Sequence, residues 1–92
     1  MTARAPDDAP RIEFPCAYPV KIVGDNRDDF ALDVVELTRR HAPEITEADV
    51  NVRASRAGNY CSVTITIRAT GEAQLRDLHD TLKAHPLVRL VL

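Results

Sequence analysis

The segment from Tyr60 to Ala69 constrains the fold of this chain more than any other feature of the sequence. Polar and apolar residues alternate through it without a break, and many of them are β-branched. A period of two residues sends successive side chains to opposite faces of a strand. The polar face carries Tyr60, Ser62, Thr64, Thr66 and Arg68, and the apolar face carries Cys61, Val63, Ile65, Ile67 and Ala69. The pattern therefore predicts a central strand with one dry face and one wetter face.

Two helices are predicted, one before and one after this strand. The first begins near Asn26, a residue suited to a helix N-cap, and runs to about His41, ahead of Pro43. The second is capped by Thr70 and stopped by Pro86. Apolar residues recur at helical spacing in both segments, so each helix has one face to bury.

Three further strands complete the set of predicted elements. Turn residues separate them from their neighbours, including Gly24 after the first strand and the Gly58-Asn59 pair before the central one. In the last strand, Val88, Leu90 and Leu92 are expected to point inward. The predicted ranges are residues 18–23, 50–55 and 87–92.

The predicted order is therefore strand, helix, strand, strand, helix, strand. Two right-handed crossovers and one hairpin give an α+β ferredoxin-like (βαββαβ) sandwich. Its antiparallel sheet has the strand order 4-1-3-2, and both helices cover one face. This single domain is predicted over residues 12–92, and residues 1–11, rich in Ala, Asp and Pro, are predicted to be a disordered tail. The fold hosts many functions and does not by itself indicate one.

Charge and cysteine content exclude several classes of protein. The 92 residues carry a formal net charge of -2, so no overall positive field attracts nucleic acid or an anionic membrane. No apolar run approaches the ~20 residues that span a bilayer, and the N-terminus lacks an apolar signal segment. Cys16 and Cys61 are predicted at opposite ends of the paired first and third strands, too far apart for a disulfide. We therefore expect a cytoplasmic protein with free thiols and no membrane partner.

The residues that could act in catalysis or bind a metal do not form a catalytic or metal-binding pattern. His41 ends the first helix, and His79 and His85 are about 120° apart around the second, so they do not form a metal pair. Arg27 follows the first strand, where an acylphosphatase-like enzyme would hold an arginine, but the single Gly24 gives no phosphate cradle. We therefore expect a non-enzymatic protein without a metal or a cofactor.

The polar face of the sheet is the surface on which function is expected. Alternation places four cations there, together with threonine and valine side chains. This mixture is typical of a protein–protein surface or a dimer face, and a plain solvated face is the alternative. RNA binding is disfavoured because RNA-binding sheets carry aromatic residues on their central strands. The residues expected to form the interaction surface are Lys21, Val23, Arg53, Tyr60, Arg68, Arg89 and Val91.

Five segments carry a further signal, and they extend from Phe14 to the end of the chain. They are Phe14-Pro15, Val20-Lys21-Ile22-Val23-Gly24, Arg40-His41-Ala42-Pro43, Ser55 to Tyr60 with the strand that follows, and Val88-Arg89-Leu90-Val91-Leu92. Together they resemble the YbeD family, a group of small uncharacterised bacterial cytosolic proteins. The resemblance implies an ACT-like ferredoxin fold, similar to the small-molecule regulatory domains of metabolic enzymes. It also implies a regulatory role, with lipoate metabolism as the suggested setting.

ACT domains typically bind an amino acid at a dimer interface through the loop after the first strand. The resemblance therefore implies an alternative function, a small-molecule sensor whose ligand binds at Gly24, Asp25 and Asn26. The usual Pro-Gly pair of that loop is absent, and Asp25, Asp28 and Asp29 disfavour a ligand carboxylate through like charge. The preferred hypothesis is a regulatory or interaction module that acts as a homodimer, or on a cytosolic enzyme, through its polar sheet face.

Overall fold

A computed structural model of the chain describes residues 15–27 and 29–92. The predicted tail, residues 1–11, and the first residues of the predicted domain, 12–14, lie outside these ranges. One short 3-10 helix, Glu47–Asp49, was not predicted. The longer elements are β1 (Cys16–Asp25), α1 (Phe30–His41), β2 (Val50–Ala54), β3 (Tyr60–Ala69), α2 (Glu72–Lys83) and β4 (Val88–Val91).

The four strands form one antiparallel sheet with the order β2-β3-β1-β4. This order is the predicted 4-1-3-2 read from the other edge, so the predicted topology is confirmed. The long strands β1 and β3 pair along their whole length and occupy the centre of the sheet. Val63 and Ile65 are fully buried and Ile67 is 2% exposed. The inward orientation predicted for the aliphatic residues of β3 is therefore confirmed.

Both helices pack on the apolar face of the sheet. α1 buries Phe30, Val34 and Thr38, which recur once per helical turn, and α2 buries Leu78 and Leu82 with the same spacing. These side chains join the inward residues of β1 and β3 in one core cluster. Removing this apolar surface from water is the main favourable contribution to folding, at ~25 cal/mol per Å².

Both helices begin differently from the predicted caps. The side chain of Asn26 does not cap α1, because its Nδ2 donates to the backbone oxygen of Gly58 at 3.0 Å, and Asp29 holds the N-cap position. α2 is preceded by Gly71 rather than by Thr70. For α1, a tertiary contact of Asn26 replaced the cap that the local sequence favoured. For α2, the loop is one residue longer than predicted, so the N-cap position falls on the next residue.

A β-bulge interrupts the pairing of β4 with β1. Val23 pairs with Leu90, but the next residue, Gly24, pairs with Val88. Arg89 is therefore an extra residue on β4 that has no single partner on β1. A bulge of this kind lets two side chains of one strand oppose one residue of its neighbour and breaks strict alternation.

The bulge reverses the predicted orientation of the last residues of the chain. Val91 is only 9% exposed and belongs to the core cluster, whereas Leu90 and Leu92 are 48% and 57% exposed. Placing Val91 on the outer surface was therefore wrong, and so was the inward orientation expected for the two leucines. The physical reason is that one extra residue shifts the side-chain period by one position.

The two cysteines lie at opposite ends of the β1–β3 strand pair. Cys16 pairs with Ala69 and Cys61 pairs with Gly24, and both thiols are free, as predicted. Cys61 is 5% exposed within the core, and burial raises the pKa of its thiol. It therefore packs as a small protonated apolar residue.

Candidate functional site

The sheet face opposite the helices, called the outer sheet face below, carries the candidate functional site. Strand pairing aligns its side chains in rows that cross the sheet from β4 to β2. Neighbouring strands lie ~4.8 Å apart, so a row of four side chains is about 15 Å long. The two central rows are Leu90, Val23, Ser62 and Arg53, and then Leu92, Lys21, Thr64 and Asn51.

Lys21 and Arg53 are the cations at the centre of the outer sheet face. Both line a shallow depression whose floor includes the hydroxyl groups of Ser62 and Thr64. Within residues 15–27 and 29–92, neither cationic side chain has a hydrogen bond or an ion pair. Ammonium and guanidinium groups beside two hydroxyls can bind a carboxylate with charge-assisted hydrogen bonds.

Val23, Leu90 and Leu92 form an apolar corner beside these cations. Val23 is half-buried, and the two leucines are among the most exposed large apolar side chains of the described chain. Sequence reasoning placed Val23 on this face but missed the leucines. For so short a strand, the alternation of side chains between the two faces was the signal available for assigning residues to a face. The bulge at Arg89 breaks this alternation.

The other residues predicted for the surface lie at its margins or outside it. Tyr60, which is 49% exposed, and Arg68 face outward at the two ends of β3. Arg89 lies at the rim, where its guanidinium binds a carboxylate of the same chain. Val91 lies in the core. The structure therefore brings together Lys21, Val23 and Arg53 from the predicted set.

The loop predicted to bind a small molecule is closed by contacts within the chain. Gly24 is buried inside β1, and a Cβ at this position would meet the Phe30 ring and the Leu87 carbonyl. The carboxylate of Asp25 accepts two bonds from Arg89, at 3.0 and 3.1 Å. The amide of Asn26 donates to the β2–β3 hairpin. A ligand at this loop would have to displace contacts that already satisfy its polar groups.

Acid titration is expected to break the Asp25–Arg89 pair and to lower stability. The guanidinium of Arg89 holds the pKa of the Asp25 carboxyl below its usual value near 4. Because folding lowers this pKa, the contribution of the pair is complete above the unfolded-state pKa and is lost as pH falls through the folded-state pKa. We expect the urea midpoint of the protein to fall more steeply below pH ~5 than that of Asp25→Asn. Asp77→Asn on the exposed side of α2 is the control, and parallel curves for Asp25→Asn and wild type would contradict the prediction.

Two of the three histidines link α1 to α2 and to the loop that follows α2. His85 Nε2 lies 3.0 Å from Asp33 Oδ2, and its Nδ1 accepts the Leu87 N–H, so both ring nitrogens are engaged. His41 Nε2 lies 3.1 Å from Thr81 Oγ1, a contact that the sequence did not predict. No described residue bonds Nδ1 of His41. Within the described ranges, no three His, Cys, Asp or Glu side chains are grouped as for a metal ion.

Comparison with known proteins identifies relatives over most of the chain. A family model described as a protein of unknown function (DUF493) matches residues 9–92. A UPF0250 protein of Azotobacter vinelandii is 46% identical over 85 residues, which cover 91% of this chain and 92% of the relative. A UPF0250 protein of Chromobacterium violaceum is 41% identical over 80 residues, which cover 87% of this chain and 90% of the relative. In the described part of the chain, neither helix has the length and apolarity needed to cross a membrane.

Two solved structures share the fold. The ACT domain from GTP pyrophosphokinase of Chlorobium tepidum superposes with a TM-score of 0.65 at 16% identity, covering 83% of this chain and 92% of that domain. A protein of H. pylori, solved in solution, superposes with a TM-score of 0.68 at 15% identity, covering 99% of this chain and 98% of that one. At these identities the likeness shows an ACT-like ferredoxin fold and nothing of function.

Proposed function

Since the chain belongs to the DUF493 family, in agreement with its YbeD-like segments, we propose that it is a non-enzymatic regulatory or interaction module. It binds a partner protein through the outer sheet face. The partner that fits is an acidic protein segment with aliphatic side chains. A carboxylate of this segment binds between Lys21 and Arg53, and its aliphatic groups cover the apolar corner of Val23, Leu90 and Leu92.

The unpaired cations beside exposed leucines are the observation that supports this proposal. Arg89 already neutralises Asp25 on the same face, and Glu44 and Asp49 lie at the far end of the face beside Thr66 and Arg68. The centre of the face therefore presents the unpaired charges of Lys21 and Arg53 on a chain whose formal net charge is -2. Charge of one sign around a small apolar patch steers an oppositely charged partner and sets its register.

The same charges make other occupants of the face less favourable. Two copies of the chain that met face to face would bring Lys21 and Arg53 of each copy against the same cations of the other, which costs free energy. Among residues 15–27 and 29–92, the outer sheet face offers a nucleic acid one aromatic side chain, Tyr60, at the end of β3, and an apolar corner without a role. The proposal therefore concerns a partner protein.

The proposal is tested by capture from a lysate of Azotobacter vinelandii, which has a relative 46% identical to this chain. Three tagged baits are compared: wild type, Lys21→Glu with Arg53→Glu on the outer sheet face, and Arg76→Glu with Lys83→Glu on exposed positions of α2. The two double variants change the net charge equally. We expect proteins that wild type and the α2 variant capture, and that the sheet variant loses.

A captured protein is then purified to measure its affinity. We expect Lys21→Glu with Arg53→Glu to raise the Kd at least tenfold, which corresponds to about 1.4 kcal/mol. Leu90→Ser with Leu92→Ser should also weaken binding while keeping the fold, because both leucines are exposed. Identical sets of proteins on all baits, or capture that nuclease abolishes, would contradict the proposal.

The second candidate function is a sensor that binds a metabolite at Gly24, Asp25 and Asn26. It is favoured by the ACT-like fold, and the closed loop described above opposes it. Thermal shift assays with amino acids, lipoyl compounds and nucleotides test it directly. A ligand at 100 times its Kd adds ~2.7 kcal/mol of stability. The absence of any shift across these compounds would leave the partner-binding function as the sole proposal.

A further inference from the structure

The backbone groups at the centre of the outer sheet face are paired within the sheet. β1 and β3 pair with each other along their whole length, and beside the cations and the apolar corner each also pairs with its second neighbour. An extended segment that covered Val23, Leu90 and Leu92 would bury backbone N–H and C=O groups without hydrogen-bond partners, which is costly. A helix pairs these groups within itself, so a helical segment fits the face.

Short side chains form a trough along the middle of the outer sheet face. They face outward from the two central strands and are Ala17 and Pro19 on β1 and Ser62, Thr64 and Thr66 on β3. Depressions lie in this trough next to the cations at one end and beside the 3-10 helix at the other. A helix is about 10 Å wide, which is roughly two strand spacings, so it fits lengthwise over β1 and β3.

The end of the trough beside the 3-10 helix, called the far hollow, carries two carboxylates. Glu44 and Asp49 line this hollow of about 390 Å³ together with Thr66 and Arg68. Glu44 Oε2 accepts the Arg68 N–H at 3.1 Å, and Asp49 Oδ2 accepts the Thr46 N–H at 2.8 Å. Within the described part of the chain, the second oxygen of each carboxylate accepts no bond. Both carboxylates are therefore held in place with one oxygen left to bind a cation.

The charge of the trough changes sign along its length. The two cations border Ser62 and Thr64, and the two carboxylates border Thr66 and Arg68. Arg68 offsets one of the carboxylates, so the far hollow keeps a negative charge. The two charged groups are four residues apart along β3, which corresponds to about 14 Å. A partner that complements both ends carries an acid and a base at this separation.

We propose, on the basis of the partner-binding function above, that the partner segment is an amphipathic helix lying along β1 and β3. An acidic residue of this helix binds between Lys21 and Arg53, and a basic residue binds Glu44 and Asp49 in the far hollow. Residues seven and eleven positions apart share one face of a helix and are separated by about 10.5 and 16.5 Å along it. These spacings bracket the ~14 Å between the two charged groups. Aliphatic residues on the other flank of the helix cover the apolar corner.

Designed peptides titrated into the isotope-labelled full chain test both ends of this helix. The parent peptide has about 18 residues, long enough to be helical in water, and blocked termini that carry no charge. It carries leucines on one flank, and a glutamate and a lysine eleven residues apart. Two further peptides have glutamine in place of the lysine or of the glutamate. The Kd of each is measured from the NMR shifts of the amides of β1 and β3.

The lysine is expected to tighten binding about threefold on wild type, as an exposed ion pair would. Glu44→Gln with Asp49→Asn should remove this gain, while the amide oxygens still accept the bonds that hold both side chains. Asp77→Asn with Asp80→Asn, at exposed positions of α2, changes the net charge equally and should keep the gain. The gain from the glutamate should disappear in the same way in Lys21→Gln with Arg53→Gln.

The outcomes separate this proposal from the partner-binding function. A gain from the lysine that survives Glu44→Gln with Asp49→Asn overturns the contact in the far hollow, even if the glutamate still depends on Lys21 and Arg53 as the partner-binding function requires. A parent peptide with proline at its centre should bind at least tenfold more weakly, and equal binding would overturn the helical partner. A parent peptide that shifts no amide of the outer sheet face overturns both proposals.

Discussion

Replacing Ile65 by alanine is expected to lower the free energy of unfolding by about 3 kcal/mol, within the 2–5 kcal/mol usual for such truncations. Ile65 is fully buried in the middle of β3, between Val20 on one neighbouring strand and Val50 on the other. Paired strands on both sides limit how far the core can collapse into the space left by the removed atoms. A loss of this size is a large part of the 5–15 kcal/mol that holds a domain folded.

The adjacent residue supplies the matched control for Ile65. Thr64 faces the outer sheet face between Lys21 and Asn51, so Thr64→Ala should cost no more than about 1 kcal/mol, the span of strand propensity. Urea unfolding followed by circular dichroism measures both changes, with the slope of each transition compared to verify two-state behaviour. Equal losses for the two variants would show that the two faces of β3 are not distinguished by burial.

Gly24→Ala is expected to destabilise the protein by about 3 kcal/mol, at the upper end of the range for overpacked cores. A Cβ at this position would lie closer than 3.0 Å to the Phe30 ring and to the backbone oxygen of Leu87. Phe30 is 2% exposed, and the Leu87 oxygen accepts the Asp25 N–H at 3.0 Å, so neither group can move without losing packing or a hydrogen bond. The cost arises from close approach of three chain segments.

Gly71→Ala is the control for this substitution. A Cβ on Gly71 has no atom within 4 Å, and its backbone is extended, with φ at 172°. The midpoint of thermal or urea unfolding of Gly71→Ala should therefore stay close to that of wild type. If Gly24→Ala were as stable as Gly71→Ala, the Phe30 ring would not pack closely against Gly24.

The candidate site shows which residues can be assigned to a face of the sheet from the sequence. Lys21, Val23 and Arg53 belong to strands whose residues alternate regularly, and the structure finds all three on the predicted face. Leu90 and Leu92 follow a bulge, and alternation placed them on the wrong side of the sheet. The sequence also did not predict which charged residues pair. Asp25 and Arg89 are 64 positions apart, and only the fold brings them together.

The sequence by itself determined the elements, their order and the dry face of the central strand. Periodicity is a local property, and burying the repeated apolar residues of β3, α1 and α2 admits few arrangements. Tertiary structure alone decided that Gly24 lies under Phe30, that β4 bulges at Arg89 and that Arg89 pairs with Asp25. These features depend on how distant segments fill the same space, and no window of neighbouring residues contains that information.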